Sequence, residues 1–274
     1  MSEFEVQIWG ARGSIPLYHP DHQRAGCNTI CVSVRINGHI SILDAGTGIV
    51  RLGDAIAGEA PQDMDLFLSH YHYDHVLGLN FFPPLRSART HLTVHGGTAH
   101  TGEGPQAILS KLFSQPFCPN ELDSHPGRLT FESFATGDRI ALKGGARLIP
   151  YRLNHPSVAY GFRIEYRNRV FVFAPDFELG DAQGDAAMAD MLRDADLAVL
   201  DTMFTPAEIT EYRGYGHSSW QDVARICAAS RVASWRLFHH APALTDSALD
   251  AIEAELRREF PDSGAAREGD LYVL

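Results

Sequence analysis

The sequence has no apolar run longer than a few residues, so it holds no segment able to cross a bilayer as a helix. Its first residues carry no basic stretch followed by an apolar one, and no signal peptide is expected. Cysteine is scarce: Cys27, Cys31, Cys118 and Cys227 form neither a CxxC pair nor a disulfide framework. That usage fits buried, reduced thiols in a cytoplasmic protein. Positive charge is also short, with 23 Lys and Arg against 34 Asp and Glu, a formal net charge of −11. Such a balance argues against extensive nucleic-acid binding and against an anionic membrane surface, both of which need a basic face. It does not argue against an anionic substrate, because a local metal site overrides the global field. Repeats, low-complexity tracts and linker-like shifts are absent. At 45% hydrophobic and 21% charged residues, disorder, collagen and coiled coil are excluded as the main architecture, and residues 1–274 read as one domain.

What is present is histidine, fourteen of them, embedded in a strand-rich pattern. Strands are expected at 31–36 and 40–43, joined by an Asn37-Gly38 hairpin turn, and at 66–69. Further strands fit 129–134, 147–153, 160–166, 170–174, 197–201 and 235–238, with a turn at 167–169. Helices are expected at 105–114, opened by Pro105, and at 185–195. Another is expected at 219–230, with Ser219 and Asp222 in capping-box spacing, and a last one at 245–260. Pro83-Pro84 should end any helix that follows the histidine cluster. A sheet core with outer helices is the natural architecture. Gly46-Thr47-Gly48 is not a dinucleotide fingerprint, because Arg51 stands where the third glycine would be.

The chemistry concentrates in Ser69-His70-Tyr71-His72-Tyr73-Asp74-His75, directly after an apolar strand. In an extended strand end, His70 and His72 point the same way and can grip one ion. Asp74 and His75 can reach a second. Imidazole with carboxylate suits zinc, manganese or iron with a position left open for water. The bland alternative, a solvated loop that happens to hold histidines, fits a lone histidine far better than this density. Tyr71 and Tyr73 alternate with the ligands, so packing is their expected role. More ligand-type residues stand just past other strands: His155, Asp176, and His239 or His240. Singly each passes for a loop residue; together they share one rim of the sheets.

These features resemble the metallo-β-lactamase-fold hydrolases. The phosphodiesterase-like members are most similar, among them ribonuclease Z, cyclic-nucleotide phosphodiesterases and phosphoribosyl cyclic-phosphate phosphodiesterase. The motifs that carry the resemblance span nearly the whole chain. They are Trp9-Gly-Ala-Arg-Gly-Ser-Ile-Pro16, Gly26-Cys-Asn-Thr29, Leu43-Asp-Ala-Gly-Thr-Gly-Ile49, the His70–His75 signature, His155, Asp176, Gly216-His217-Ser218 and His239-His240-Ala-Pro242. The sequence departs from the pattern at Cys27, Ser219 and Ala241, none of them a proposed ligand. The resemblance implies a four-layered αββα sandwich and two divalent metal ions, zinc foremost, with manganese or iron as alternatives. It implies His70, His72 and His155 on the first metal, Asp74, His75 and His239 on the second, and Asp176 bridging.

The implied reaction is attack on phosphorus in a small or cyclic phosphodiester by a hydroxide that the metals activate. Asp74 would handle the nucleophile's proton and His217 would protonate the leaving group. Glu178 is expected to orient His217, and Asp201 to orient a neighbour or serve structure. Arg12, Asn28 and Arg152 are candidates for phosphate contact, each equally readable as structural. A homodimer is implied by the resemblance alone. Three other readings stay open: a lactone, thioester or β-lactam hydrolase, a tRNA-processing nuclease, and a non-catalytic metal-binding module.

Overall fold

The computed structural model describes residues 3–58 and 62–274. The first sheet holds β1 (Phe4–Gly10), β2 (Cys31–Ile36), β3 (His39–Leu43), β4 (Asp63–Leu68), β5 (His91–Gly96) and β6 (Arg128–Ser133). The second holds β7 (Ile140–Ala141), β8 (Arg147–Leu153), β9 (Ala159–Tyr166), β10 (Arg169–Ala174), β11 (Leu197–Asp201), β12 (Trp235–Phe238) and β13 (Gly264–Ala265), in chain order. The last strand, β14 (Leu271–Val273), returns to pair antiparallel with β1. Each sheet begins with antiparallel hairpins and ends with three parallel pairings, from β3 to β6 and from β10 to β13.

Period-two alternation sorts the side chains into layers. Phe171 and Phe173 of β10 face inward and meet Val6, Val34 and Phe67 of the other sheet in one cluster. Val172 and Ala174 face outward. That outer face is covered by α4 (Ala182–Leu192), α6 (Trp220–Ala229) and α7 (Asp246–Leu256), through Met188, Val223 and Leu249. On the outer face of the first sheet, α1 (Gly48–Ile56) and α3 (Pro105–Leu112) pack Ile49, Leu52 and Leu109 against Ile42, Leu66 and Val94. Two short helices, α2 (Tyr73–Val76) and α5 (Pro206–Ile209), lie at the rim. The order is helix, sheet, sheet, helix, the four-layered αββα sandwich expected.

Several local readings hold and others shift. Asn37 and Gly38 both take positive φ, 48° and 83°, as a two-residue hairpin with right-handed strand twist requires. Ser219 caps α6 by accepting from Asp222 N, but the reciprocal capping box belongs to Thr205 and Glu208 of α5. A 3-10 turn over Leu79–Phe81 stops just before Pro83-Pro84, as expected, and the two prolines open another, while α2 itself is already over at Val76. Phe82 and Pro84 are buried there while Phe81 is exposed. Strands β1 and β5 were not expected; in β5, His91 and His95 interrupt the apolar pattern while Leu92 and Val94 are fully buried. The four cysteines are unpaired, three of them buried. Among the described residues, no helix is long and apolar enough to cross a membrane.

Candidate metal centre

The carboxyl ends of β3, β4, β8, β10, β11 and β12 open on one rim of the sandwich, where α/β sheets characteristically present ligand sites. From the first sheet come Asp44, His70, His72, Asp74 and His75. The second contributes His155, Asp176, Asp201 and His239. The seven residues read as ligands converge there. Ligand atoms of His70, His72, His155 and Asp176 lie within 4.8 Å of one another, and so do those of Asp74, His75 and His239. Asp176 joins the groups: its Oδ1 is 3.1 Å from His75 Nε2, and its Oδ2 is 3.8 Å from His70 Nε2 and 3.4 Å from His239 Nε2. His240 turns away and donates from Nε2 to the Ala266 carbonyl at 2.8 Å.

Hydrogen bonds on the far side of the rings set their tautomers. Ser69 donates from Oγ to Asp44 Oδ2 (2.7 Å), so His70 Nδ1 donates to Ser69 Oγ (3.0 Å). His75 Nδ1 donates to Asp44 Oδ2 (2.8 Å), and His155 Nδ1 to the Gly216 carbonyl (3.0 Å). In each ring the Nε2 atom is then left facing the centre. His70 and His155 Nε2 are buried ring nitrogens with no hydrogen-bond partner, while His75 Nε2 faces Asp176 Oδ1. Orphaned acceptors such as the first two are costly unless something fills the space between them. A divalent cation does so, and the nitrogen and oxygen donor set suits zinc or manganese.

Electrostatics divide the histidines. Burial holds His70 well below the usual imidazole range, and His155 at about 4 despite nearby Asp176, so both stay neutral and ready to donate a lone pair. Burial also disfavours a charged His75, but Asp176, Asp74 and Asp44 outweigh it and raise its pKa well above the ordinary value. Burial alone would raise Asp74, yet His75 and His239 pull its carboxyl far below the carboxylate range.

Two backbone details support the placement. His239 sits at φ 56° just past β12, and glycine at position 13 lets its ring approach, since a methyl there would overlap the imidazole. Asp74 Oδ2 accepts from Ser14 N (2.7 Å) as well as facing His239 Nε2 (3.2 Å).

Beside the centre, His217 Nδ1 donates to Asp201 Oδ2 at 2.8 Å. Asp201 is fully buried and also accepts from Phe177 N (3.1 Å) and Met203 N (3.0 Å). Burial raises its carboxyl, and burial acting on His217 is overcome by this partner, which lifts the imidazole to about 9. Expectation and structure part at Glu178. Its carboxylate does not touch His217; it accepts from Gly214 N (2.8 Å) and Gly216 N (3.0 Å) and so clamps the loop that carries His217. The orienting partner is Asp201.

The phosphate-contact candidates are engaged elsewhere. Arg12 is buried and donates to the carbonyls of Gly26, Ala241 and Leu244. Asn28 donates to Glu268 (3.0 Å) and accepts from Thr47 (3.0 Å). Arg152 donates to the Ala159 carbonyl and lies over the Tyr160 ring. Tyr71 packs as expected, its hydroxyl donating to Gly97 O (2.6 Å), but Tyr73 is exposed. Asp44 was assigned no role from sequence. The available signal was an acidic residue at a strand end, which here adopts φ 60°.

Comparison with known proteins agrees with this geometry. Residues 41–240 match the family model described as the Beta-lactamase superfamily domain. A ribonuclease Z of Thermoplasma volcanium is 30% identical, over 97% of this chain and 96% of its own. One from Bradyrhizobium sp. (strain ORS 278) is 26% identical over 99% and 100%. The crystal structure of the metallo-beta-lactamase fold protein YhfI from Bacillus subtilis superposes with a TM-score of 0.73 at 18% identity, covering 98% of each chain. The chain therefore belongs to the beta-lactamase superfamily, as a metal-dependent hydrolase of the metallo-β-lactamase fold related to ribonuclease Z.

Proposed function

We propose that the protein is a phosphodiesterase acting on a small or cyclic phosphodiester. The observation that carries this reading is the set of inward-facing, unpartnered Nε2 atoms around Asp176, with the His217–Asp201 pair at its edge. His70, His72 and His155 would hold one divalent cation, Asp74, His75 and His239 a second, with Asp176 shared between them. Bound there, two such ions supply Lewis-acid neutralisation of phosphate charge and a lowered pKa for water.

The protein's own residues do the rest. Asp74, whose carboxyl His75 and His239 hold far below the carboxylate range, stays ionised and would orient the attacking water by accepting its hydrogen bond. His217, protonated below about pH 9, delivers a proton from Nε2 to the leaving oxygen while Nδ1 stays fixed on Asp201. The Glu178 clamp holds the loop that gives His155 its tautomer and His217 its place. Arg12, Asn28 and Arg152 support structure.

A second reading, an RNA-processing nuclease, is favoured by full-length relatives named ribonuclease Z. The net charge of −11 favours the small substrate, because a long polyanion needs basic docking surface. A panel of bis-p-nitrophenyl phosphate, cyclic nucleotides, a lactone, a thioester and a precursor tRNA, with metal analysis, separates the readings. Turnover of the small diesters is expected. Asp74→Ala should lose metal and activity together. His217→Ala should keep both metals and slow turnover of the cyclic nucleotides by about two to four orders of magnitude, with a far smaller loss on bis-p-nitrophenyl phosphate, whose leaving group needs no proton. Because His217 also lies within 4.8 Å of Asp176 and His239 ligand atoms, metal loss in His217→Ala would make it a ligand and refute its role as acid.

A further inference from the structure

Four exposed, bulky side chains stand on the segments that also carry the centre. Ile15 (52% exposed) and Tyr18 (78%) follow Ser14, which bonds Asp74; Tyr73 (67%) lies between His72 and Asp74; Tyr215 (63%) is two residues before His217. Singly exposed side chains of this kind mark nothing by themselves, and the one that is tied to the centre through ring contacts is Tyr215. The side next to His217 is built most completely. Phe204 meets the His217 ring edge-on at 5.9 Å and stacks on Tyr212 at 4.9 Å and 6°. Tyr212 in turn meets Tyr215 at 5.5 Å and 90°.

This wall is fixed before any ligand arrives. Tyr215 N donates to Tyr212 O, Glu178 holds Gly214 and Gly216 on either side, and the Gly216 carbonyl is bonded to His155. A methyl on Gly216 would overlap His155, so the loop lies directly against the ligand ring. Preorganisation of this kind lets contact free energy appear as affinity.

We propose that Tyr215, backed by Tyr212 and Phe204, is the specificity-determining residue for a planar aromatic group, such as a nucleobase, carried on the leaving-group side of the diester. The assignment rests on the phosphodiesterase reading, because His217 defines that side. A free nucleotide and a nucleotide at an RNA end present the same ring here.

The test is calorimetric titration of the zinc-loaded protein with adenosine 5′-monophosphate and with ribose 5-phosphate, which differ only by the base. Base stacking predicts that the nucleotide binds about 5- to 150-fold tighter, corresponding to roughly 1–3 kcal/mol. In Tyr215→Ala that preference should collapse while ribose 5-phosphate affinity stays constant. Tyr215→Phe should retain the preference, because the ring face remains. In kinetics, Tyr215→Ala should raise KM for a 2′,3′-cyclic nucleotide and leave that for glycerol 1,2-cyclic phosphate unchanged. Extending the titration to a short RNA with a 3′ overhang tells a free nucleotide from an RNA end. An undiminished base preference in Tyr215→Ala, or equal loss for both ligands, overturns the proposal. Absence of diester turnover with the base preference intact overturns the hydrolytic reading instead.

Discussion

Replacing Asp201 by Asn removes one charge from a buried site with little change of shape. Three donors now converge on that carboxylate: His217 Nδ1 and Phe177 N on Oδ2, and Met203 N on Oδ1. An amide offers only one oxygen, so at least one donor must face the new NH2 group. That mismatch should cost about 1–3 kcal/mol of folding stability. The larger effect falls on His217. Its rise from 6.5 to about 9 depends mainly on Asp201 acting against burial. A shift of that size is roughly 3 kcal/mol of proton affinity.

Without the carboxylate, the imidazole returns to the ordinary range or below. At pH 7.5 the protonated fraction should then fall about tenfold, and loss of ring orientation should add about another tenfold. The protonation part closes as pH falls below the variant's pKa. Bound cations lower the pKa in both forms, so both profiles and the pH at which the deficit closes move down together while their separation persists. The assay is kcat/KM from pH 5.5 to 9.5 on an alkyl diester and on a p-nitrophenyl diester, whose leaving group needs no proton. Asp201→Asn should show a roughly 10²-fold deficit at pH 7.5 on the alkyl ester, an alkaline limb moved to lower pH, full metal content and a far smaller deficit on the p-nitrophenyl ester. Adding the change to His217→Ala should cost little more. A loss independent of pH and equal on both esters would refute the proton-delivery argument.

Other consequences follow from the same geometry. In the metal-free protein, Asp176, Asp74 and Asp44 raise His75 against burial, so the imidazole is charged and must lose a proton to bind a cation. Zinc affinity should therefore rise with pH. Calorimetry in buffers of different ionisation enthalpy should register proton release, and none would contradict the charge state. Asp44→Asn weakens the orientation of both His75 and Ser69 and should lower zinc affinity about 10- to 100-fold, with the fold intact by circular dichroism. Gly13→Ala drives a methyl into the His239 ring, and metal analysis should find one zinc equivalent lost rather than two. Phe162→Ala opens a cavity beside Phe67 and Phe134 in the inter-sheet core, and urea unfolding should read a loss of about 3–5 kcal/mol.

What could be read in the sequence was what is local. His70 to His75 announce themselves because period-two geometry, a strand end and four potential ligands coincide within six residues. Ligands scattered along the second half were legible only through their shared position after apolar strands. Contacts that depend on how strands pair were not. Asp44 reaches His75 because β3 and β4 run parallel side by side, with Asp44 N donating to Phe67 O, and no spacing rule encodes that. Proximity in sequence misled at Glu178: two residues past Asp176 it points to the 214–216 loop, while Asp201, at the end of the neighbouring strand β11, meets His217. Strand β5 escaped because His91 and His95 break its apolar run, yet both find polar partners on the neighbouring strands, Thr130 of β6 and Asp65 of β4.

The centre is also a seam. One sheet supplies His70, His72, Asp74 and His75, the other His155, Asp176 and His239, so neither half holds a complete ligand set. Backbone bonds stitch the two at this rim: Tyr160 N donates to Ser69 O, His240 N to Ala11 O and Gly13 N to His240 O. Inward faces of both sheets meet in a single apolar cluster just beneath. Burial alone disfavours charged carboxylates and imidazoles there, and in the metal-free protein the attraction between Asp74 and His75 outweighs it, as their opposed pKa shifts record. Cations that bind only the assembled seam would add stability in proportion to the logarithm of their concentration over Kd. The apolar core brings the sheets together, and cations held by both would make their relative position specific to within the tolerance that the proposed proton transfer by His217 demands.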